Sequence, residues 1–387
     1  MCGGNLAGVR EHLDYLKDLG FNALYFCPIF ASNSNHRYHT YDYFKIDPVL
    51  GDDAEFDALV RETHKKGFRV ILDGVFNHCS RGFFQFNSLM ELGPDSPYKD
   101  WFHVESYPIK AYSGKPNYKC WWDMPALPKF NTDNPEVREF LFSVGEYWVK
   151  RGIDGWRLDV PNEIDDDSFW QEFRIRVKSI NPDAYIVGEI WDPPARWLQG
   201  DQFDGVMNYM LRRLLLDFMF EESHTFEETD AFCKAVAANF SENTFGIPFN
   251  LLSSHDTTRL ITQPNGSFEN SKLLTALLFF MPGAVCSYYG EEIAMEGGKD
   301  PDCRRCFPWG TQLKPRNKEY FAFFKALVAL RNSESALRHG KFEVFTTVDG
   351  FIVRRACENS SLELQVFWAA NEPKHFRVLK NGEKVAL

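Results

Sequence analysis

The chain holds 387 residues, 25% of them charged and 44% hydrophobic, with a formal net charge of −11. This acidic, globular balance excludes nucleic acid or an anionic membrane as the main partner and suits a neutral polyol ligand. The longest apolar run, Ala276 to Cys286, is far below the roughly 20 residues of a membrane-spanning helix. No secretory leader precedes Gly3, and nine cysteines without framework spacing fit a reducing, cytoplasmic setting.

Leu6–Gly20 reads as one amphipathic helix, with Val9, Leu13, Leu16 and Leu19 near helical spacing. A strand follows at Asn22–Cys27, a helix at Ala54–Lys66 and a strand at Arg69–Gly74. Residues 79–133 break this rhythm. They are rich in Phe, Trp, Pro, Gly and Ser and too long for an ordinary loop, so they read as a small inserted domain. The alternation resumes with Glu136–Arg151 (helix), Ile153–Leu158 (strand), Asp167–Ile180 (helix), Tyr185–Gly188 (strand) and Phe203–Val206 (strand). Two helical stretches lead to a strand at Pro248–Leu252. Ala284–Tyr288 is the last strand of this series and Asn317–Asn332 the last helix.

From His339 the pattern turns to short strands, Phe342–Thr347, Phe351–Cys357, Leu362–Trp368 and His375–Leu379, with Asp349-Gly350 as the first hairpin turn. The expected fold is α/β: a (β/α)₈ TIM barrel over 1–338 with residues 79–133 inserted, then a short C-terminal antiparallel β domain over 339–387. Only seven barrel strands can be counted, because no strand precedes Leu6. Either the sequence is a fragment lacking the first strand, or a neighbouring segment or partner fills the gap.

Four short segments carry the chemistry: DGVFNH (Asp73 to His78), GWRLDVPNE (Gly155 to Glu163), VGEIW (Val187 to Trp191) and SSHD (Ser253 to Asp256). Each follows a strand-like run and so brings polar side chains to a strand's carboxyl end, and in a barrel those ends open on one face. Asp159, Glu189 and Asp256 are expected to share one pocket with Arg157, His78 and His255. Three carboxylates around a sugar-sized cavity suggest retaining glycoside hydrolysis. Asp159 is the expected nucleophile. Arg157, two residues earlier on the same side of the strand, is expected to hold it ionised and lower its pKa. Asp73 is expected to organise Arg157 rather than touch substrate. Glu189 is the expected general acid, which must keep its proton at working pH, with Ile190 and Trp191 as an apolar wall. Asp256, followed by Thr-Thr-Arg, also reads as a helix N-cap. The sole CxxC, Cys303 to Cys306, has neither the strand–helix context of a redox motif nor a second pair for zinc.

These segments resemble, nearly letter for letter, the signature regions of the α-amylase family of glycoside hydrolases (glycoside hydrolase family 13). They are most similar to its neopullulanase, cyclomaltodextrinase and maltogenic amylase branch, whose MPKLN stretch LPKFN (Leu127 to Asn131) resembles. The resemblance implies a glycosidase that cuts α-1,4 bonds of maltooligosaccharides, cyclodextrins or pullulan, with some transfer to sugar acceptors and no redox or nucleotide cofactor. It implies that Asp256 grips hydroxyls of the distorted ring, that His78 and His255 hydrogen-bond the −1 sugar, and that Tyr38 stacks on it. It further implies Trp191 near the +1 and +2 subsites, Asn162 and Glu163 at the acceptor side, and Asp300 and Arg304 at the −2 sugar. Two positions depart from the family pattern: His39 follows Tyr38 where Asp is frequent, and Pro161 replaces the more usual Ala.

Asn77 matches a calcium ligand of many members, yet no Asp-rich loop offers it a partner, so calcium stays open. The branch's N-terminal dimerisation domain is missing from this sequence, which leaves the oligomeric state open. Within the same class the alternatives are a plain α-amylase or an oligo-α-1,6-glucosidase. Outside it they are a non-catalytic carbohydrate-binding or accessory relative, or an inactive fragment.

Overall fold

The computed structural model describes residues 3–221, 224–241, 246–263, 266–368 and 374–387. They fall into two units, 3–190 with 197–205, and 191–196 with 206–387.

The first unit begins with a departure from the sequence expectation. The helix expected over Leu6–Gly20 is two helices, α1 (Leu6–Glu11) and α2 (Leu13–Leu19). His12 between them has φ −107° and ψ 10°, and its Nδ1 lies 2.8 Å from Gly8 O, a carbonyl that an unbroken helix ladder would use. Next come β1 (Ala23–Tyr25), an antiparallel pair β2 (Phe30–Ser32) and β3 (Thr40–Ile46), then α3 (Asp53–Lys65) and β4 (Arg69–Gly74). The remaining elements are α4 (Phe84–Leu92), α5 (Pro135–Lys150), β5 (Gly155–Leu158), α6 (Asp167–Ile180), β6 (Tyr185–Gly188) and β7 (Gly205–Val206).

Strands β1, β4, β5, β6 and β7 lie side by side in that order, and the first four pair in parallel. Val70 to Gly74 and all of β5 are buried, as strands covered on both faces should be. Gly155 is required at its place, because a Cβ there would stand 2.3 Å from Tyr185 O in the neighbouring strand. The amino ends of the sheet are tied by aspartates. Asp154 accepts from Val70 N at 2.8 Å and pairs with His64 at 2.7 Å, and Asp204 accepts from Ile186 N at 2.9 Å. With those ends committed to structure, the carboxyl ends are left to carry chemistry. Between β4 and α5, residues 79–133 hold α4 and isolated bridges, including Val104 with Tyr118 and Cys120 with Pro128. An aromatic core supports them, with Phe86 centred 5.0 Å from Phe102 and 4.9 Å from Tyr118.

The second unit contains α7 (Tyr209–Phe220), α8 (Phe226–Ser241), β8 (Phe249–Asn250), α9 (Phe268–Phe280), β9 (Ala284–Val285), α10 (Pro315–Ser333) and α11 (Ser335–His339). β8 and β9 pair in parallel, and Met207 bridges Phe249. Buried asparagines bind this region: Asn208 Nδ2 donates to Asn239 Oδ1 at 2.9 Å and to Asn250 Oδ1 at 2.8 Å. All seven strands expected for a barrel are therefore strands, though most are shorter than their apolar runs. The C-terminal sheet runs in sequence order through β10 (Lys341–Thr347), β11 (Gly350–Cys357), β12 (Ser360–Phe367), β13 (His375–Lys380) and β14 (Glu383–Val385), with every neighbour antiparallel.

One turn differs from expectation. Thr347 pairs with Gly350, so the two-residue loop is Val348-Asp349 and Gly350 already belongs to the strand. Its lack of a side chain serves packing, since a Cβ would lie 1.8 Å from Val366 O. No helix of the described residues is long and apolar enough to cross a membrane.

Candidate active site

In the first unit the polar residues at the strand ends gather on one guanidinium. Arg157, buried on β5, places Nη1 2.9 Å from Asp73 Oδ1 and 2.7 Å from Asp159 Oδ1, and Nη2 2.8 Å from Glu189 Oε2. Asp73 comes from the end of β4, Asp159 follows β5 and Glu189 follows β6, so three adjacent parallel strands each deliver one carboxylate. Asp73 does organise Arg157, as its place in the motif suggests. It also accepts from Tyr38 Oη at 3.0 Å and Tyr25 Oη at 2.9 Å. Tyr25 was missed from sequence, where an aromatic in a short strand reads as core.

Electrostatically the cluster is overfilled with negative charge. Burial works against Arg157's cation, but Asp73 and Glu189 outweigh it and hold the guanidinium firmly protonated. Burial pushes the Asp159 carboxyl well above the usual carboxylate range; Arg157 opposes that push, while Glu189 and Asp73 reinforce it. The expected lowering by Arg157 is thus present as one contribution and overturned in the net direction. One guanidinium facing three carboxylates favours keeping one proton within the group.

The turn after Asp159 is strained. Val160 sits at φ 35° and ψ 52°, although it is β-branched and precedes a proline, both of which favour extended backbone. Such conformations cost about 1–3 kcal/mol and persist where the surroundings over-determine them. Here Val160 N donates to Glu189 Oε2 at 3.1 Å, and Trp170 Nε1 lies 3.2 Å from both Pro161 O and Ile164 O. Beyond the turn, Asn162 is exposed and Glu163 is tied to Lys129 of LPKFN, whose Nζ donates to Glu163 O at 2.5 Å.

His78 is buried beside this group, and its pKa is pushed down to about 3, first by burial and then by repulsion from His39. The ring is therefore neutral, with Nε2 buried and without a hydrogen-bond partner among the described residues. Asn77 Oδ1 is likewise buried and unpartnered. A calcium ion would need further oxygen ligands, and the described residues contain no group of three or more His, Cys, Asp or Glu able to hold a metal.

In the second unit His255 Nε2 lies 3.0 Å from Asp256 Oδ2, and Arg304 Nη2 lies 3.3 Å from Asp256 Oδ1. Arg304 Nε reaches Asp300 Oδ1 at 2.8 Å and His255 O at 2.9 Å, so all four expected residues form one connected set. Asp256 caps no helix: the next one is the short turn Leu260–Thr262, and it begins after Arg259. Trp191 is half-exposed and stacks on Tyr209 with centroids 3.6 Å apart, a partner the sequence did not suggest. Cys303 is a free thiol whose Sγ lies 3.1 Å from His255 O, so the CxxC pair is not closed on itself.

Comparison with known proteins agrees with the motifs. The model of the alpha amylase catalytic domain matches residues 2–340. A cyclomaltodextrinase from a Bacillus species is 45% identical over 345 residues, 89% of this chain and 61% of that protein. Neopullulanase 2 of Thermoactinomyces vulgaris is 47% identical over 387 residues, 99% of this chain and 63% of that protein. The chain thus spans about three-fifths of the length of these relatives. Among solved structures, cyclic alpha-maltosyl-(1→6)-maltose hydrolase from Arthrobacter globiformis superposes with a TM-score of 0.90 at 36% identity, covering 98% of this chain and 89% of that one.

Proposed function

The chain belongs to the alpha-amylase family, and from that premise we propose that it is a retaining glycosidase cutting α-1,4 bonds of maltooligosaccharides, cyclodextrins or pullulan, with some transfer to sugar acceptors. The observation that carries this reading is Arg157, whose two terminal nitrogens bind Asp159 and Glu189 side by side. Carboxyl groups on neighbouring nitrogens of one guanidinium are close, which suits attack by one of them rather than by a water lodged between.

In the proposed reaction Asp159 attacks the anomeric carbon while Glu189 gives its proton to the departing glycosidic oxygen. Glu189, now anionic, then takes a proton from water, and that water's oxygen displaces Asp159 from the sugar. Arg157 stays charged throughout and offsets whichever carboxylate is ionised. Neutral His78 presents Nε2 to a sugar hydroxyl, which would satisfy a ring atom that otherwise has no partner. Asp256, held by His255 and Arg304, grips sugar hydroxyls, and Asp300 with Arg304 extends that grip to a further sugar. Tyr38 supplies a stacking face, Asn162 with Glu163 contributes to acceptor binding, Trp191 offers an exposed ring to a sugar, and 79–133 and 339–387 act as inserted and C-terminal domains.

No cofactor enters these steps. The test is incubation with maltotriose, β-cyclodextrin and pullulan. Release of maltose or glucose is expected, and failure to cleave any of the three overturns the proposal.

A further inference from the structure

The turn at Val160 is left-handed, with φ 35° and ψ 52°. Val160 is disfavoured there twice over, by its branched side chain and by Pro161 after it. What the conformation achieves is to aim one backbone N–H. Val160 N donates to Glu189 Oε2 at 3.1 Å, and Arg157 Nη2 approaches the same oxygen at 2.8 Å.

A backbone N–H donating to one carboxyl oxygen, with a guanidinium nitrogen in ion-pair contact with the same oxygen, fixes how a proton is arranged on that carboxyl. A carboxylic acid accepts at its carbonyl oxygen and donates from its hydroxyl oxygen. A proton on Oε2 would meet the Val160 N–H and the Arg157 cation. We propose that Val160 is a positioning residue for the general acid, its backbone N–H holding Glu189 Oε2 as the permanent acceptor so that the transferable proton resides on Oε1. This inference rests on the reading of Glu189 as the acid.

The same two contacts matter after transfer. Once Glu189 Oε1 has passed its proton to the glycosidic oxygen, the new anion keeps the Val160 N–H and the Arg157 cation at Oε2, so charge develops where the protein already offsets it. The turn is held by α6: Trp170, buried in that helix, directs Nε1 to Pro161 O, at the start of the short turn Pro161–Glu163, and to Ile164 O just after it, both at 3.2 Å. Trp170 is thus a second positioning residue, acting through the turn rather than on substrate.

The test removes one hydrogen-bond donor and keeps the side chain. Val160 is replaced by the α-hydroxy acid with the same side chain, so that an ester oxygen stands where the amide N–H was. Two substrates are compared: maltotriose, whose leaving sugar needs a proton, and α-maltosyl fluoride, whose leaving fluoride needs little help. The expected result is a loss of about 10- to 100-fold in kcat on maltotriose, with turnover of the fluoride within about threefold of wild type.

A merely structural role would lower both rates together. Equal loss on both substrates, or no loss on either, overturns the inference while leaving the proposed function standing. A wild-type chain that cleaves neither substrate overturns the proposed function and this inference with it. Trp170→Phe, which removes the two contacts pinning the turn, should show the same contrast with a folded melting curve, and it decides the matter if the ester variant does not fold.

Discussion

Tyr25 Oη lies 2.9 Å from Asp73 Oδ2, on an oxygen that Tyr38 Oη also reaches at 3.0 Å. Asp73 is fully buried, and burial pushes its carboxyl up while Arg157 and the two phenols favour its charge. Removing one phenol therefore weakens the anchor of Arg157 without touching the carboxylates assigned to catalysis. Tyr25→Phe is expected to lower kcat on maltotriose about tenfold with little change in KM, as befits loss of one hydrogen bond to a charged group. Steady-state kinetics beside a melting curve checks this; full turnover in the variant would mean that Arg157 is positioned without Tyr25.

Asp159→Asn and Glu189→Gln should each abolish nearly all hydrolysis of maltotriose while leaving the fold intact, because each keeps shape and removes a charge or a proton. A position-159 variant retaining more than about a hundredth of the wild-type rate would exclude a covalent role, which should be worth several kcal/mol. Proton NMR of the first product should show the α-anomer. A β-anomer would mean that water attacks directly and that Asp159 acts as a base.

Much of this site is legible in the sequence because parallel strands buried on both faces are unbroken apolar runs, and the polar residue ending each run stands out. Asp73, Asp159 and Glu189 are all read this way. Tyr25 is not, since nothing in a strand distinguishes a phenol that binds a carboxylate from one that fills a core. Val160 is illegible for the opposite reason: a branched residue before proline argues for extended backbone, and the contacts that Glu189 and Trp170 make with this turn come from other elements. Helix α9 escapes because it is buried all round and shows no amphipathic period. The break at His12 escapes because it depends on one ring nitrogen meeting Gly8 O.

The C-terminal sheet offers a test of packing. Gly350 sits where a Cβ would lie 1.8 Å from Val366 O and 3.1 Å from Phe367 Cα, both in the paired strand. Gly350→Ala must force β11 and β12 apart at the start of their ladder, at a cost of about 2 kcal/mol. Chemical denaturation should show the loss, and the alanine variant should differ from Val348→Ala, a change at a fully exposed loop residue expected to alter stability by less than about 0.5 kcal/mol. Equal stability of the two variants would mean that the strands separate without penalty.

His78 makes the folded chain sensitive to acid in a way that can be isolated. Its folded pKa is pushed down to about 3 by burial, whereas an unfolded histidine titrates near its ordinary value of about 6.5. Between these values the unfolded state binds more protons than the folded state. Stability from this residue is therefore intact above the unfolded value and is lost as pH falls toward the folded one. From pH 7 to pH 4.5 the loss amounts to about 2–3 kcal/mol. Other groups titrate over the same range, so the informative quantity is a difference between proteins. Urea unfolding of wild type and His78→Gln at both pH values should show the wild type losing more stability on acidification by about that amount. Identical losses in the two proteins would mean that His78 takes up its proton in the folded state and does not present a neutral ring to the sugar.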